Sequence, residues 1–396
     1  MKRISVLMAT AFVDMIGFAI VFPLLPFYAL RFNAQEWMIG WLIAAFSIVQ
    51  LMVAPVWGRI SDRYGRRPAI LLGLCTSAVA FVIFGFANGI LMLFVTRMVQ
   101  GIGGGTTGVL QAYVGDAIEP KHRAKALGWL SAATSAGVMI GPAIGSLAFG
   151  LGPEYPGIIA AGLCATNIVF AWRWLPEPKL HSEHGPERNV SARPRRSVRN
   201  VIREILTHPR GDVPRLIWIY AVGMLGFMSM TAVMPLYLEA TFAVTAKTIG
   251  PFFVYIGFLS ILMRAVVLGK AVDRFGETRV MRAGAMSLAI GLLAIPLPTF
   301  VLGTALVISF VPIGTAMLFP NVSALVSHRT PSSELGQVLG VQQSFGGVSR
   351  VIAPLWATAV FELGPTLPFF ISSGVVALVT LLAFRVKHVV PVAEAA

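Results

Sequence analysis

The chain has 396 residues, of which 56% are hydrophobic and only 12% charged, with a formal net charge of +14. That is more apolar side chain than a soluble core of this size hides, so lipid is the expected solvent for much of it. Cys75 and Cys164 both sit inside apolar runs, which argues against a disulfide framework, a metal site or redox chemistry.

The start, MKRISVLMATAFVD, has no small-residue cleavage site and runs straight into an apolar stretch, so it reads as a retained first helix. Crossing a hydrocarbon core of ~30 Å takes about 20 mostly apolar residues. Twelve stretches meet that need: 5–30, 38–57, 68–87, 90–115, 124–149, 156–175, 214–238, 249–268, 280–300, 301–326, 336–361 and 366–385. The ninth and tenth are parted only by the Pro296/Pro298 turn. Between the sixth and seventh, PEPKLHSEHGPERNVSARPRRS is rich in Pro, Arg and Ser and reads as a polar linker whose basic run is solvated, the alternatives being a lipid headgroup or a partner bound there. The expected class is an all-α membrane protein of twelve transmembrane helices in two pseudo-symmetric six-helix bundles. Its parts are an amino-terminal bundle over 1–178, a linker over 179–212 and a carboxy-terminal bundle with a short tail over 213–396.

An even number of spans puts both termini on one side. Of the 31 Lys and Arg, 26 fall in segments sharing that side; Arg31 and Lys247 lie opposite, and Arg97, Arg264 and Arg350 lie within spans. The positive-inside rule makes the basic side cytoplasmic. The surplus of charge is thus topological, with attraction to anionic lipid, and a nucleic-acid partner is set aside.

The halves repeat at an offset of about 210 residues. GFAIVFPLLP from Gly17 lies over GFMSMTAVMP from Gly226, GRISDRYGRR from Gly58 over GKAVDRFGET from Gly269, and LGWLSAATSAGVMIGP from Leu127 over LGVQQSFGGVSRVIAP from Leu339. Two similar bundles rocking about a site near the membrane midplane produce this kind of repeat in secondary transporters.

The segment after the second span reads Gly58, Arg59, Ile60, Ser61, Asp62, Arg63, Tyr64, Gly65, Arg66, Arg67, and is taken as a loop. This G-x-x-x-D-R-x-G-R-R pattern resembles the loop signature of the major facilitator superfamily, and Gly269, Asp273, Arg274 and Gly276 stand where that family has a weaker copy. The resemblance covers essentially the whole chain and implies a cytoplasmic latch. In it Asp62 caps the eleventh span near Glu334 to Gln337, and Arg66 and Asp116 complete a charge cluster that biases inward-open against outward-open states. Topology alone is the plainer explanation of these arginines. Arg97, Gln100, Gly101 and Gly103 to Gly105 resemble the family's R-x-x-Q-G element. Gly137, Gly141, Pro142 and Gly145 resemble the G-P-x-x-x-G element of its drug:proton antiporters, where small residues and a proline serve helix packing or a hinge. FVDMIGFAIVFPLLP resembles the first span of tetracycline and multidrug exporters, with Asp14 at the place of their acid. Spans 3 and 9 lack the further acids of tetracycline exporters, and Arg350 stands where the first half has Val138.

An ionisable group in mid-membrane needs a cavity or a partner. Asp14 lies about ten residues into the first span, roughly 15 Å along a helix and near the midplane. It is the one carboxylate that deep; Asp116, Glu239 and Glu362 lie near span ends, and all six histidines fall in cytoplasmic segments or at their edges. Low dielectric favours the neutral carboxyl, so Asp14 is the expected proton carrier, exchanging proton and substrate at one switchable site. A structural ion pair with Arg97 or Arg350 is the alternative. Arg350 lies deep in the eleventh span, to hold an anionic substrate, counter Asp14 or pack between the halves, whereas Arg264 is expected to snorkel. The family's cavity-lining spans point to Gln111 and Asn321, and from the adjacent eleventh span Gln342 and Gln343, as polar substrate contacts, with Phe18, Phe22, Phe227, Met230 and Phe319 as an adaptable apolar wall.

The expected function is proton-coupled export of amphipathic small molecules or drugs, with small-molecule substrate, protons and membrane lipid as partners, no cofactor or metal, and a monomer as the working unit. The alternatives are uptake or facilitated passage of a metabolite, for instance an anion at Arg350, and a receptor that binds without turnover. An enzyme is disfavoured: GIGGG at 101–105 lies inside an apolar span rather than at a strand-to-helix turn, so it is not a phosphate loop.

Overall fold

The computed structural model describes residues 2–118, 120–178, 198–331 and 334–386. Every regular element among them is helical. Among the described residues ten helical segments are long and apolar enough to cross a membrane: Ser5–Arg31, Glu36–Tyr64, Arg66–Gly85, Ala126–Leu151, Tyr155–Trp174, Asp212–Phe242, Gly250–Phe275, Val301–His328, Leu335–Phe361 and Leu367–Phe384. The chain is an integral membrane protein. Large side chains such as Leu147 at 76% and Leu378 at 63% exposure face outward, an arrangement suited to lipid, where helices satisfy their own backbone.

The fourth and ninth expected spans are helical but do not meet that measure. The fourth is two helices, α5 (Ile90–Gly104) and α6 (Thr107–Ala117), parted at Gly105 and Thr106 after a glycine run. The ninth is α13 (Glu277–Ala294), whose first turns carry Glu277, Arg279 and Arg282.

α1 (Lys2–Val21) passes through a 3₁₀ turn at Phe22–Leu24, where Pro23 removes a donor, into α2 (Leu25–Arg31). α3 (Glu36–Tyr64) and α4 (Arg66–Gly85) follow. The stretch read as a loop after the second span is instead mostly helix: α3 continues through Gly58, Asp62 and Arg63, and Gly65 alone makes the turn. Apolar counting stops where the membrane does, yet the i to i−4 ladder continues, closed by Gly65 N–H on the Ser61 carbonyl at 3.1 Å. α7 (Pro120–Leu151) and α8 (Tyr155–Trp174) complete the first half. The second half runs from a short amphipathic helix, α9 (Val198–Thr207), to α10 (Asp212–Phe242), then α11 (Gly250–Leu262), a π-turn at Met263–Val267 that carries Arg264, and α12 (Leu268–Phe275). α13 follows, then α14 (Val301–Val307), α15 (Phe310–His328), α16 (Leu335–Phe361) and α17 (Leu367–Phe384).

The helices form two compact units. One gathers Met1–Val190, Met234–Ile261 and Pro354–Glu362; the other gathers Ser191–Val233, Leu262–Ala353 and Leu363–Ala396. In the first, α1 packs on α7 and α8, α4 on α5 and α8, and α3 on α5. Small residues set these distances, since without hydrophobic drive between helices in lipid, close van der Waals fit does the work. A Cβ at Gly137 would lie 2.5 Å from the Phe12 carbonyl, at Gly141 2.5 Å from Ala19 Cβ, and at Gly145 2.5 Å from the Ile20 carbonyl, so the backbones of α1 and α7 nearly touch. In the same unit Gly40 of α3 meets Pro354 and Thr358 of α16, and Gly250 of α11 meets Ser146 of α7. In the second unit α13 packs between α15 and α17, with Gly284 and Gly314 set into the facing backbones. α9 buries Val201 and Ile205, and Trp218 Nε1 donates to the Ile205 carbonyl at 3.1 Å.

Candidate functional site

Asp14 lies in α1 one turn before Gly17, whose would-be Cβ sits 3.1 Å from the Phe81 ring of α4. The helical period therefore turns Asp14 to the side of α1 that meets α4 and α8, away from the α7 contact. The Cys164 thiol of α8 is within electrostatic reach of it. Among the described residues Asp14 makes no ion pair, with Arg97, Arg350 or any other cation.

Arg97 of α5 is fully buried. Its guanidinium donates to Gln100 Oε1 and, at 3.4 Å, to the Leu42 carbonyl, and it lies over the Phe46 ring at 4.7 Å and the Phe18 ring at 6.0 Å. No carboxylate among the described residues pairs with it, so aromatic faces and carbonyl dipoles hold the cation. Gly101, Gly103 and Gly104 of α5 and the following Gly105 bring the helix against α3 and α4: a Cβ at Gly101 would lie 2.6 Å from the Phe46 carbonyl and one at Gly103 2.5 Å from Ser77 Oγ.

The charge cluster assembles around Arg66. Its Nε bonds Asp116 Oδ2 at 2.7 Å, and Nη1 bonds Asp62 Oδ1 at 2.5 Å and Ser61 Oγ at 2.6 Å. Arg63 stacks on Tyr64, and a Cβ at Gly58 would meet nothing within 4 Å. A residue not foreseen completes the cluster. Glu177, beyond the end of α8, accepts the Arg66 N–H at 2.5 Å and the Arg67 N–H at 2.9 Å. It thus caps the positive N-terminal end of α4, as Asp62 was expected to cap a different helix. Only the acid within LPEPK marked it in the sequence, and its partner is 111 residues away. In the copy, Gly269 has open space around it, Asp273 and Arg274 end α12, Arg274 stacks on Phe275, and Gly276 turns into α13. The place of Arg66 is taken by Glu277, which pairs with His328 at 3.2 Å.

In the second unit Arg350 is partly buried and within electrostatic reach of Tyr220, whose hydroxyl donates to Gln343 Oε1 at 3.4 Å. Tyr220 and Phe227 flank Phe319 with ring centroids 5.3 and 6.4 Å away. Gln342 is fully buried instead, donating to Ser323 Oγ at 2.7 Å across α15 and α16, and Asn321 donates to its own helix at the Met317 carbonyl at 2.6 Å. Gln111 is exposed on α6, and Met230 is buried. Phe22 stacks on Phe18. No cluster of three or more metal-ligating side chains occurs among the described residues.

The model of the Major Facilitator Superfamily matches residues 7–354 and 265–395. Multidrug resistance protein 2 of Bacillus subtilis (strain 168) is 26% identical over 93% of this chain and 91% of that protein. Tetracycline resistance protein, class B, of Escherichia coli is 27% identical over 88% of this chain and 86% of that protein. The crystal structure of a D-xylose-proton symporter superposes with a TM-score of 0.77 at 15% identity, covering 98% of each chain.

Proposed function

The chain belongs to the Major Facilitator Superfamily, and on that premise we propose that it is a secondary active transporter that exports amphipathic small molecules, drugs among them, in exchange for protons. It works by alternating access between two six-helix bundles, 1–178 and 213–396, with twelve spans and both termini on the cytoplasmic face of the inner membrane. The observation that carries the proposal is the lone carboxylate of Asp14. It lies in the first unit with no ion pair among the described residues, so its charge is free to be neutralised by a proton. The resistance proteins among the relatives support export of drugs. Substrate and proton then compete for one state of α1. The Arg66 cluster with Asp62, Asp116 and Glu177 steadies the turn between α3 and α4, and Arg97 with Gln100 holds α5 to α3.

Purified protein in proteoliposomes, challenged with cationic, neutral and anionic compounds, tests this. Substrate-driven proton flux is expected in the wild type and absent in Asp14→Asn. Solute movement without proton flux, unchanged in the variant, would overturn proton coupling at Asp14. A second reading, passage of an anionic metabolite, is favoured by Arg350, a partly buried cation with no ion pair among the described residues and within electrostatic reach of Tyr220.

A further inference from the structure

Two helical periods coincide around Asp14. Thr10 and Asp14 are four residues apart on α1, and Cys164 and Asn167 are three apart on α8, so each pair shares a helix face. The faces meet. Asn167 Nδ2 donates to the Thr10 carbonyl at 2.9 Å, and one turn along, the Cys164 thiol lies within electrostatic reach of Asp14. Cys164 Sγ in turn donates to the Leu74 carbonyl of α4 at 3.2 Å, which makes this the junction of α1, α4 and α8.

Two oxygens in the junction are unmatched. Asn167 Oδ1 and Thr10 Oγ1 are buried without a hydrogen-bond partner among the described residues, on side chains 2% and 1% exposed. A helical threonine hydroxyl ordinarily bonds a carbonyl one turn back, and a buried amide oxygen with no donor is unfavourable. Asn167 cannot turn its amide to remove the mismatch without giving up the bond to the Thr10 carbonyl. Its oxygen is therefore fixed as an acceptor.

We propose that Asn167, held by the Thr10 carbonyl, is a positioning residue for the proton on Asp14: its Oδ1, with Thr10 Oγ1 beside it, accepts the hydrogen of the protonated carboxyl directly or through one water. The proposal rests on Asp14 as the proton carrier. A neutral carboxyl has one O–H to give and a carboxylate has none, so the acceptors match only the loaded state. The proton arrives from water on one side, forms an O–H bond on a carboxylate oxygen, and leaves to water on the other side when that bond breaks. Other groups on the helices around α1 do not supply the match. α8 presents Cys164, on which Cys75 of α4 also acts, and α7 presents Gly137, Gly141 and Gly145. On α6, Tyr113 donates to the Pro176 carbonyl and Asp116 is bound to Arg66. Arg97 of α5 meets α1 at Phe18.

The sign follows: acceptors stabilise the protonated form, so removing one lowers the pH at which half the sites hold a proton. In Asn167→Leu the midpoint of substrate-driven proton release is expected to move to lower pH by at least about 0.5 unit, roughly threefold in proton concentration. The infrared C=O band of the protonated carboxyl, assigned by its loss in Asp14→Asn, should shift to higher wavenumber, with Asn167→Gln partly restoring both. An unchanged midpoint and band in a folded Asn167→Leu would overturn the proposal. If that variant does not fold, Thr10→Val reads the same band, and no shift there overturns it equally. Proton flux surviving in Asp14→Asn sinks the coupling reading itself, whereas flux lost there with a wild-type Asn167→Leu sinks only the role of Asn167.

Discussion

Gly65 and Gly276 adopt one backbone conformation, φ +103° with ψ 158° at the first and φ +78° with ψ 153° at the second. Each ends one helix and opens the next, about 210 residues apart in a repeated sequence. Side chains other than hydrogen are strained there by roughly 1–3 kcal/mol. A Cβ at Gly65 would also lie 2.8 Å from Glu177 Oε1, while one at Gly276 would meet nothing within 4 Å. Gly276→Ala should therefore lower stability by the backbone cost alone, and Gly65→Ala by more. Thermal unfolding of the two purified variants checks the order, and equal losses would show that the Glu177 contact contributes nothing.

Glu177 spans the first two N–H groups of α4 with its two oxygens. Losing a cap of this kind costs on the order of 1 kcal/mol. Glu177→Ala should lose that amount, and Glu177→Gln, which keeps one acceptor but not the charge, about half of it. Unfolding at two salt concentrations separates the terms, since the charge contribution of an exposed acid shrinks with salt.

The glycine stripe of α7 predicts a positional contrast. Gly141→Val puts new atoms where Ala19 already lies 2.5 Å from the first of them, whereas a Cβ at Gly150 on the same helix meets nothing within 4 Å. Overpacking costs ~1–3 kcal/mol where the neighbours are backbone or Cβ atoms. Gly141→Val should lower the melting temperature and abolish transport, and Gly150→Ala should do neither.

The apolar periodicity makes ten of the spans legible, because length and hydropathy alone define them. The other two expected spans are harder to judge because a span must hold both apolar length and continuity. Gly103 to Gly105 interrupt the one, and Arg282 sits inside the other. Arg282 is bound to the carbonyls of Ala383, Phe384 and Val386 at the end of α17, at 3.1, 3.0 and 2.7 Å, a role that pattern reading cannot see because all three partners are about a hundred residues away. Asp14, Arg97 and Arg66 stand out in the sequence as charges in unusual places. Glu177, Thr10 and Asn167 do not, since an acid near a helix end or an amide in an apolar run is ordinary until its partner is known.

Arg97 tests whether a guanidinium or merely a cation is needed. Its fork reaches Gln100 and the Leu42 carbonyl while its face covers Phe46, and lysine cannot reproduce both contacts. Arg97→Lys should cost at least ~1 kcal/mol in lost stacking and bonding and slow transport. Full activity and stability in the lysine variant would mean that charge alone suffices.

Arg350 decides between the two readings of the substrate. Its side chain is partly buried near Tyr220 and has no ion pair among the described residues, so its charge is not already matched by a carboxylate. An anionic compound reaching it would gain a charge-assisted hydrogen bond worth ~1.5–3 kcal/mol, which is more than tenfold in affinity. In Arg350→Gln, anionic compounds should therefore lose at least tenfold in apparent affinity, while cationic and neutral ones keep wild-type values, as read by competition against one labelled substrate in proteoliposomes. Equal losses across the panel would assign Arg350 to packing. Loss confined to anions, together with proton flux that only anions drive, would move the chain from the drug exporters to carriers of organic anions.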